Sequence, residues 1–356
     1  MNSKIQWLRN KISLLNMQGM IVANPMNIKY LTGLDAEGTL LITRKENFFL
    51  TDARYLEEVK SVLTINDGII VNDIANITRD DYENFFLFCE NVGFEENYVT
   101  YSMYKRYLER YKIHNLEETE YMLEKQRMIK DEEEIELIKE ACRITDECFK
   151  HICDFIKIGK TEKEIAFEIE KFFRENGAEG TSFETIVASG TNSSKPHAVP
   201  TDKKIEAGDT ITIDMGCKYK GYCSDMTRTI FASYVPAEVQ GIYDLVLKNQ
   251  LQTLKEMKEG ASIRIISRMV ENDFKLNGYD LVHALGHGVG LDIHEMPFIS
   301  GKNDNSLKAN MVVTVEPGIY LPNHFGVRIE DTVLITKSGC INLSESDKNY
   351  IVVDKT

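Results

Sequence analysis

The sequence has no long apolar run and no paired cysteines. No stretch of about 18 apolar residues, the length that spans a bilayer, occurs in the chain. The N-terminus lacks the apolar core and the small-residue cleavage site of a secretory signal. The seven cysteines form no CxxC pair and are odd in number, so they do not frame a disulfide-bonded scaffold. These absences predict a cytoplasmic protein with reduced thiols and no membrane partner.

Blocks of basic residues are also missing. Acidic residues outnumber basic ones 56 to 42, and the formal net charge is −14. The mean electrostatic field of such a chain repels polyanions unless a local basic patch intervenes. We therefore expect no nucleic-acid partner.

The first third of the chain differs in pattern from the remainder. Its alternating strand-like and helix-like segments are typical of an α/β domain. The sequence turns polar at residues 117–124, and a long helical periodicity then opens with the capping box Asp131 to Glu134. We predict an N-terminal α/β domain, residues 1–124, and a larger second domain, residues 125–356. In the second domain a helix pair followed by strands occurs twice, which suggests two related halves around a sheet.

Four acidic residues lie in segments that should be buried strands. Two are in the hairpin candidate DTITIDMG and YCSDMTRTIF, and two are in later β-branched runs; they are Asp214, Asp225, Glu316 and Glu330. A buried carboxylate is costly unless a cation compensates it. Only Arg228 and Arg328 lie in the same strands, which leaves positive charge short if all four acids converge. A pair of divalent ions would balance it, although a salt-bridged or solvent-facing pair explains the first two acids equally well.

His287 is the fifth candidate ligand. It lies in HALGHGVG, where alternating glycines let the backbone pack closely and expose the imidazole in a cleft. The glycines lack the strand-to-helix context and the Lys-Ser/Thr pair of a phosphate-binding loop. His283 and His287 have the spacing of a helical zinc-protease motif, but the residues between them include glycine and no glutamate. Both of these alternatives are therefore disfavoured.

The ordered set Asp214, Asp225, His287, Glu316 and Glu330 resembles the ligands of the pita-bread metallopeptidases, in their aminopeptidase P and prolidase branch. The resemblance covers KPHAVP, IDMGCKYKGYCSDMTRT, HALGHGVGLDIHEMP, TVEPGIY and GVRIEDTV, across the chain from residue 127 onward. NIKYLTG and FFLTDARY are similar to the creatinase-type N-terminal domain of that branch. The resemblance implies an α+β fold with a C-terminal pita-bread (creatinase/aminopeptidase) domain after a smaller α/β creatinase-like domain.

The resemblance also implies how the metals are held. Asp214 would chelate one ion, Asp225 and Glu330 would bridge both, and His287 with Glu316 would complete the second. Bridging carboxylates hold two ions about 3.5–4 Å apart, where a shared water is activated. Oxygen-rich ligation with one imidazole suits Mn²⁺ better than thiolate-seeking ions. We expect two divalent ions, Mn²⁺ first, with Co²⁺ or Zn²⁺ as alternatives.

Four residues are expected to be catalytic by the same resemblance. His197 in KPHAVP and His294 in LDIHEMP would line the cleft and hold the substrate carbonyl or the developing oxyanion. Arg328 is similar to the family's arginine that orients the bridging acids. Glu316 would also move a proton between water and the departing amine.

Two further residues would bind substrate together with His197 and His294. His283 would support the cleft, although a packing histidine explains it equally well. Tyr320 matches the family pattern in TVEPGIY.

The activity implied is hydrolysis of the bond between an N-terminal residue and proline. That bond is a tertiary amide without an N–H, so peptidases that bind extended amides handle it poorly. We favour an Xaa-Pro aminopeptidase, with an Xaa-Pro dipeptidase (prolidase) as the alternative, a proline-containing peptide as substrate and a homodimer as in relatives. Two further readings are a non-catalytic binding protein and a metal-free creatinase-like enzyme. Neither would need five ligand residues.

Overall fold

The chain divides into two compact units, Met1–Gln126 and Arg127–Thr356. The structure, a computed structural model, describes residues 3–43, 46–63, 68–87 and 89–355. Each unit has buried apolar clusters of its own. In the described part of the chain, no helix is both long enough and apolar enough to cross a membrane.

The first unit is built on a six-stranded sheet. Its elements are α1 Ser3–Leu14, β1 Gly19–Val22, α2 Pro25–Thr32, β2 Thr39–Thr43, β3 Asn47–Thr51, α3 Leu56–Val62, β4 Ile69–Asp73, α4 Arg79–Phe85, β5 Asn91–Phe94, α5 Tyr101–Tyr111, β6 Asn115–Glu118 and α6 Met122–Arg127. The strand order is β4-β3-β2-β1-β5-β6. Strand β1 runs antiparallel to β2 and parallel to β5, so the sheet is mixed. Alternating helices and strands agree with the α/β character predicted for this part of the sequence.

The second unit contains two helix pairs, each followed by strands. Its elements are α7 Glu132–Phe155, α8 Glu162–Glu175, β7 Gly180–Thr181, β8 Ile186–Ser189, β9 Thr210–Met215, β10 Cys217–Tyr219, β11 Tyr222–Cys223, β12 Met226–Ala232, α9 Ala237–Glu256, α10 Ile263–Leu276, β13 Gly286–Gly288, β14 Glu295–Ile299, β15 Val312–Val315, β16 Gly318–Leu321, β17 Phe325–Arg328, β18 Asp331–Ile335, β19 Cys340–Asn342 and β20 Val352–Val353. The capping boxes at the starts of α7 and α8 are both present. They satisfy backbone N–H groups in the first turn that have no partner within the helix.

The predicted hairpin forms, but it is interrupted. Strands β9 and β12 pair antiparallel in one sheet, while the connecting residues form the separate pair β10 and β11. Strands β15 and β18 pair in another sheet, and between them lies the separate pair β16 and β17. Each hairpin therefore passes from one sheet to another partway along its length.

Three of the four candidate acids lie at these crossings, and Asp214 lies one residue before the end of β9. Only Asp214 is inside a strand; Asp225 precedes β12, Glu316 follows β15, and Glu330 separates β17 from β18. The expectation that all four lie within strands is therefore wrong in detail. At a crossing the regular strand pairing stops, and the backbone N–H groups find partners outside the ladder. The N–H of Glu330 donates to Thr227 O at 3.0 Å, and the N–H of Glu316 donates to Leu285 O at 2.9 Å.

Candidate metal centre

The two crossings bring acidic side chains to one point. Ligand atoms of Asp225, His287 and Glu330 all lie within 4.8 Å of one another. The Nε2 atom of His287 is 3.4 Å from Asp225 Oδ2 and 3.5 Å from Glu316 Oε1. Asp225, His287 and Glu330 are buried and Glu316 is partly exposed. Four of the five predicted ligands are thus adjacent, although they come from four separate segments of the chain.

Asp214, the fifth predicted ligand, lines the same cavity. Its Oδ2 accepts a hydrogen bond of 2.6 Å from Arg328 Nη2. Its Oδ1 is buried and has no hydrogen-bond partner among the described residues. A buried oxygen without a donor is costly, so this atom is suited to a cation.

Burial and mutual repulsion act on the two central carboxyls. Burial raises the pKa of Asp225 well above its usual range, and the charges of Asp214 and Glu316 raise it further. Burial likewise raises the pKa of Glu330, and the charge of Asp225 adds to the effect. Both groups become easier to ionise when cations are bound beside them. The donor set of four carboxylates and one imidazole therefore fits divalent metal ions.

The neighbouring glycines let His287 reach the centre. A Cβ on Gly286 would lie 2.1 Å from Thr314 O, and one on Gly288 would lie 2.3 Å from Met296 O. The close approach predicted for this segment is therefore present. The Nδ1 atom of His287 lies 3.1 Å from the carbonyl oxygen of Gly288. Because a carbonyl can only accept, Nδ1 carries the proton in the neutral ring and Nε2 faces the acids as a ligand atom.

Arg328 connects the centre to its surroundings. Besides its bond to Asp214, its Nε donates to Thr227 Oγ1 at 3.0 Å, and that hydroxyl donates to Glu330 Oε2 at 2.7 Å. Its Nη1 donates to Tyr320 Oη at 2.6 Å. The guanidinium therefore holds two acids of the centre in fixed orientations, one directly and one through a hydroxyl.

The other predicted site residues lie around a cavity of about 420 Å³. His197, His283 and His294 line it together with the four acids and the imidazole described above. The ring centroid of His294 is 4.3 Å from that of His287. Burial lowers the pKa of His283 and of His294, which favours neutral imidazoles near pH 7.

Tyr320 is placed differently from the other predicted residues. It is not among the residues that line the cavity; its hydroxyl lies 3.0 Å from His283 Nε2 and accepts from Arg328. His283 Nδ1 lies 2.7 Å from Ala284 O and so carries the proton, which leaves Nε2 to accept from the tyrosine. Burial raises the pKa of Tyr320 to about 12, so its hydroxyl remains protonated.

Several cavity residues were not identified from the sequence. Phe183, Glu184 and Phe298 line it, as does Val199, which lies within the predicted KPHAVP segment. Phe298 and Val199 are 50% and 67% exposed, so on the cavity wall they offer apolar surface to a bound group. An apolar residue on a cavity wall has the same sequence signal as one in the core, so only the fold distinguishes them.

Family models match both units of the chain. The model described as "Metallopeptidase family M24" matches residues 136–337, and "Creatinase/Prolidase N-terminal domain" matches residues 4–129. Among curated proteins, the "Uncharacterized peptidase YqhT" of Bacillus subtilis is 37% identical over 98% of this chain and 100% of its own length. The "Xaa-Pro dipeptidase" of Pyrococcus furiosus is 35% identical over 93% of this chain and 94% of its own.

Solved structures are similar over nearly the whole chain. An "Xaa-Pro dipeptidase from Bacillus anthracis" has a TM-score of 0.92 and 37% identity, and covers 98% of this chain and 99% of its own. An "X-Pro aminopeptidase from Thermotoga maritima MSB8" has a TM-score of 0.87 and 33% identity, and covers 97% of this chain and 100% of its own. These matches confirm the expected α+β class, a pita-bread domain after a creatinase-like N-terminal domain.

Proposed function

The chain belongs to metallopeptidase family M24, and from that premise we propose that it is an Xaa-Pro dipeptidase, which cleaves dipeptides with proline in second place. The sequence alone favoured an Xaa-Pro aminopeptidase. Relatives named Xaa-Pro dipeptidase, from Pyrococcus furiosus and Bacillus anthracis, support the dipeptidase instead. The observation that carries a peptidase function is the convergence of all five predicted ligands on one cavity.

We propose that Asp214, Asp225, His287, Glu316 and Glu330 hold two divalent ions, with Mn²⁺ first and Co²⁺ or Zn²⁺ as alternatives. The unpartnered Asp214 Oδ1 and the raised pKa values of two neighbouring carboxyls support a bound cation. When bound, such ions supply an activated water and polarise the scissile carbonyl.

Binding of the substrate carbonyl, proton transfer and orientation of the ligands are the roles proposed for four side chains around the cavity. His197 and His294, on the cavity wall, would donate hydrogen bonds to the substrate carbonyl as its oxygen gains negative charge. Glu316 has a side chain 17% exposed, against 6% for Asp225. It can therefore take a proton from water in the cavity and deliver it to the proline nitrogen, which leaves as an amine. Arg328 would keep Asp214 and Glu330 oriented throughout.

A hydrolysis assay tests this proposal. The Mn²⁺-loaded protein would be given Ala-Pro, the tripeptide Ala-Pro-Ala and a longer Ala-Pro peptide, with Pro-Ala and Ala-Ala as control substrates. We expect kcat/KM for Ala-Pro to exceed that for the other peptides by at least about tenfold, since an enzyme discriminates through contacts that the favoured substrate alone makes in the transition state. Equal or faster cleavage of the longer peptides would favour the aminopeptidase, which the Thermotoga maritima structure keeps as the second candidate.

If no hydrolysis is seen, the metal content of the protein decides how that result is interpreted. Metal analysis of the purified protein after dialysis against Mn²⁺ would be run beside the assay. No hydrolysis and no stoichiometric metal would favour a binding protein of the same fold.

The cytoplasmic location and the homodimer expected from the sequence also remain proposals. The seven free cysteines are consistent with a reducing compartment, and light scattering on the eluted protein would give its oligomeric state.

A further inference from the structure

A buried glutamate outside the metal centre is satisfied without any cation. Glu162 is the first residue of α8 and is 0% exposed, and in the described part of the chain no lysine, arginine or histidine pairs with it. Its Oε1 accepts from the backbone N–H and the hydroxyl of Ser189, at 2.6 and 2.9 Å. Its Oε2 accepts from Asn192 Nδ2 at 2.9 Å and from the N–H and hydroxyl of Thr201, at 2.9 and 2.7 Å.

The donors lie at the two ends of one segment, residues 189–201. Ser189 ends β8 and Thr201 follows the KPHAVP sequence, so one carboxylate closes this segment into a loop. His197 is inside the loop and lines the cavity. At the cavity side, the carbonyl of Pro196 accepts from Arg328 Nη1 at 3.2 Å. The loop is thus fixed at its base by Glu162 and at its tip by the arginine that also holds Asp214.

Only a carboxylate can make this set of bonds. Burying its charge is costly, and a neutral side chain would avoid that cost. Five donors and the position at a helix N-terminus offset it. Glutamine has one accepting oxygen and an NH₂ that can only donate, so it would leave unpaired either the backbone N–H of Ser189 or the Asn192 amide and the backbone N–H of Thr201, while a hydroxyl on that side could turn to accept. A carboxylate at position 162 can therefore hold both ends of the loop that contains His197, a candidate catalytic residue.

We propose that Glu162 is a positioning residue that acts through the 189–201 loop to hold His197 against the metal centre. It does not touch the substrate or the ions. The kinetic part of its test rests on the proposed peptidase function, whereas the loop itself can be followed by hydrogen exchange without any substrate or metal.

The test compares Glu162→Gln with Glu164→Gln, the same substitution two residues along α8 at the exposed capping-box residue. We expect Glu162→Gln to keep its helix content and metal stoichiometry and to lose up to about 100-fold in kcat, because a displacement of about 1 Å of a positioned catalytic group can cost that much. Amides of the loop should exchange faster in metal-free Glu162→Gln and at the wild-type rate in Glu164→Gln. Wild-type kcat or wild-type loop exchange in Glu162→Gln would overturn the proposal.

A double-mutant cycle separates positioning from general stability. If Glu162 acts through His197, then Glu162→Gln should reduce kcat little further once His197→Ala is present. Effects that multiply would overturn the proposal. If Glu162→Gln does not fold, Thr201→Val removes one donor while leaving the carboxylate, and should show the same pattern at smaller size. A wild-type protein that cleaves no Xaa-Pro peptide, with faster loop exchange in Glu162→Gln, would reject the proposed function and leave the loop assignment standing.

Discussion

The four acids of the metal centre differ in how the protein compensates their charge. Asp214 has the guanidinium of Arg328 on one oxygen, and Glu330 has the hydroxyl of Thr227. Within the described residues, no side chain donates a hydrogen bond to the Asp225 carboxylate, and burial raises its pKa by more than the charge of Arg328 lowers it. Asp225 is therefore the acid whose ionisation depends most on bound cations.

Asp225→Asn keeps the size of the side chain and removes its charge. We expect the variant to lose most bound metal and its kcat/KM to fall by at least about 100-fold. Loss of a residue that only hydrogen-bonds to a metal ligand already lowers metal affinity or activity by about 10–100-fold. Elemental analysis and the Ala-Pro assay measure both effects. Asp202→Asn, at an exposed ion pair with Lys163, is the matched control and should change neither. A fully active Asp225→Asn protein would reject the site assignment.

The raised pKa values of Asp225 and Glu330 make metal stabilisation depend on pH. In the metal-free protein both folded-state pKa values lie above the ordinary values of about 4, so the folded state binds more protons than the unfolded state. The free energy of unfolding then falls as pH rises from about 4 upward, until the folded-state pKa values are passed. Metal ions bind the ionised carboxylates and remove this loss.

We therefore expect the difference in Tm between Mn²⁺-loaded and EDTA-treated protein to be larger at about pH 8 than at about pH 5. Thermal melts at fixed ionic strength measure it. In Asp225→Asn, which should bind little metal, the Tm difference should be close to zero at both pH values. A Tm difference that is the same at both pH values would show that ionisation of these two carboxyls does not govern metal stabilisation.

At the scale of helices and strands, the sequence predicted the features that depend on residues close together in the chain. The capping boxes of α7 and α8 and the pairing of the ITIDMG and DMTRT segments are local patterns, and all are present. The crossings between sheets could not be predicted, because alternation of apolar residues does not reveal where a strand changes partners. Glu162 was missed for a similar reason: an acidic residue in the first turn of a helix is usually solvated, and only the fold shows that it is buried.

A second buried network joins the start of the second unit to β14. Arg127 donates to Glu295 Oε2 and to Asp292, each at 2.6 Å, and Lys130 donates to Glu295 Oε1 at 2.5 Å. Arg127, Lys130 and Glu295 are at most 8% exposed. A buried ion pair adds little net stability, but removing one member leaves an uncompensated charge.

Glu295→Gln should therefore destabilise the second unit by roughly 3–5 kcal/mol, because two buried cations lose their shared anion. Urea unfolding followed by far-UV circular dichroism measures the change. The control is Asp202→Asn at its exposed pair, which should stay within about 0.5 kcal/mol of wild type. An equal effect of both substitutions would show that the buried network contributes no more than a surface pair.

At the scale of the whole molecule, the two units have separate apolar cores, and the candidate ligands lie in only one of them. A ligand that binds a folded unit stabilises that unit by mass action, by about 2.7 kcal/mol at 100 times its Kd. The chain has one tryptophan, Trp7, which lies in α1 of the first unit. Its fluorescence therefore reports unfolding of the unit that contains none of the five ligands.

We expect EDTA to lower the circular dichroism midpoint of the second unit, which contains the longest helices of the chain, and to leave the Trp7 midpoint nearly unchanged. The physical reason is that metal binding is linked only to the equilibrium of the unit that holds the site. Asp225→Asn, which should bind little metal, supplies the control: its circular dichroism midpoint should not respond to EDTA. If the Trp7 midpoint falls together with the circular dichroism midpoint in wild type, the two units unfold as one cooperative structure and the metal stabilises the entire chain.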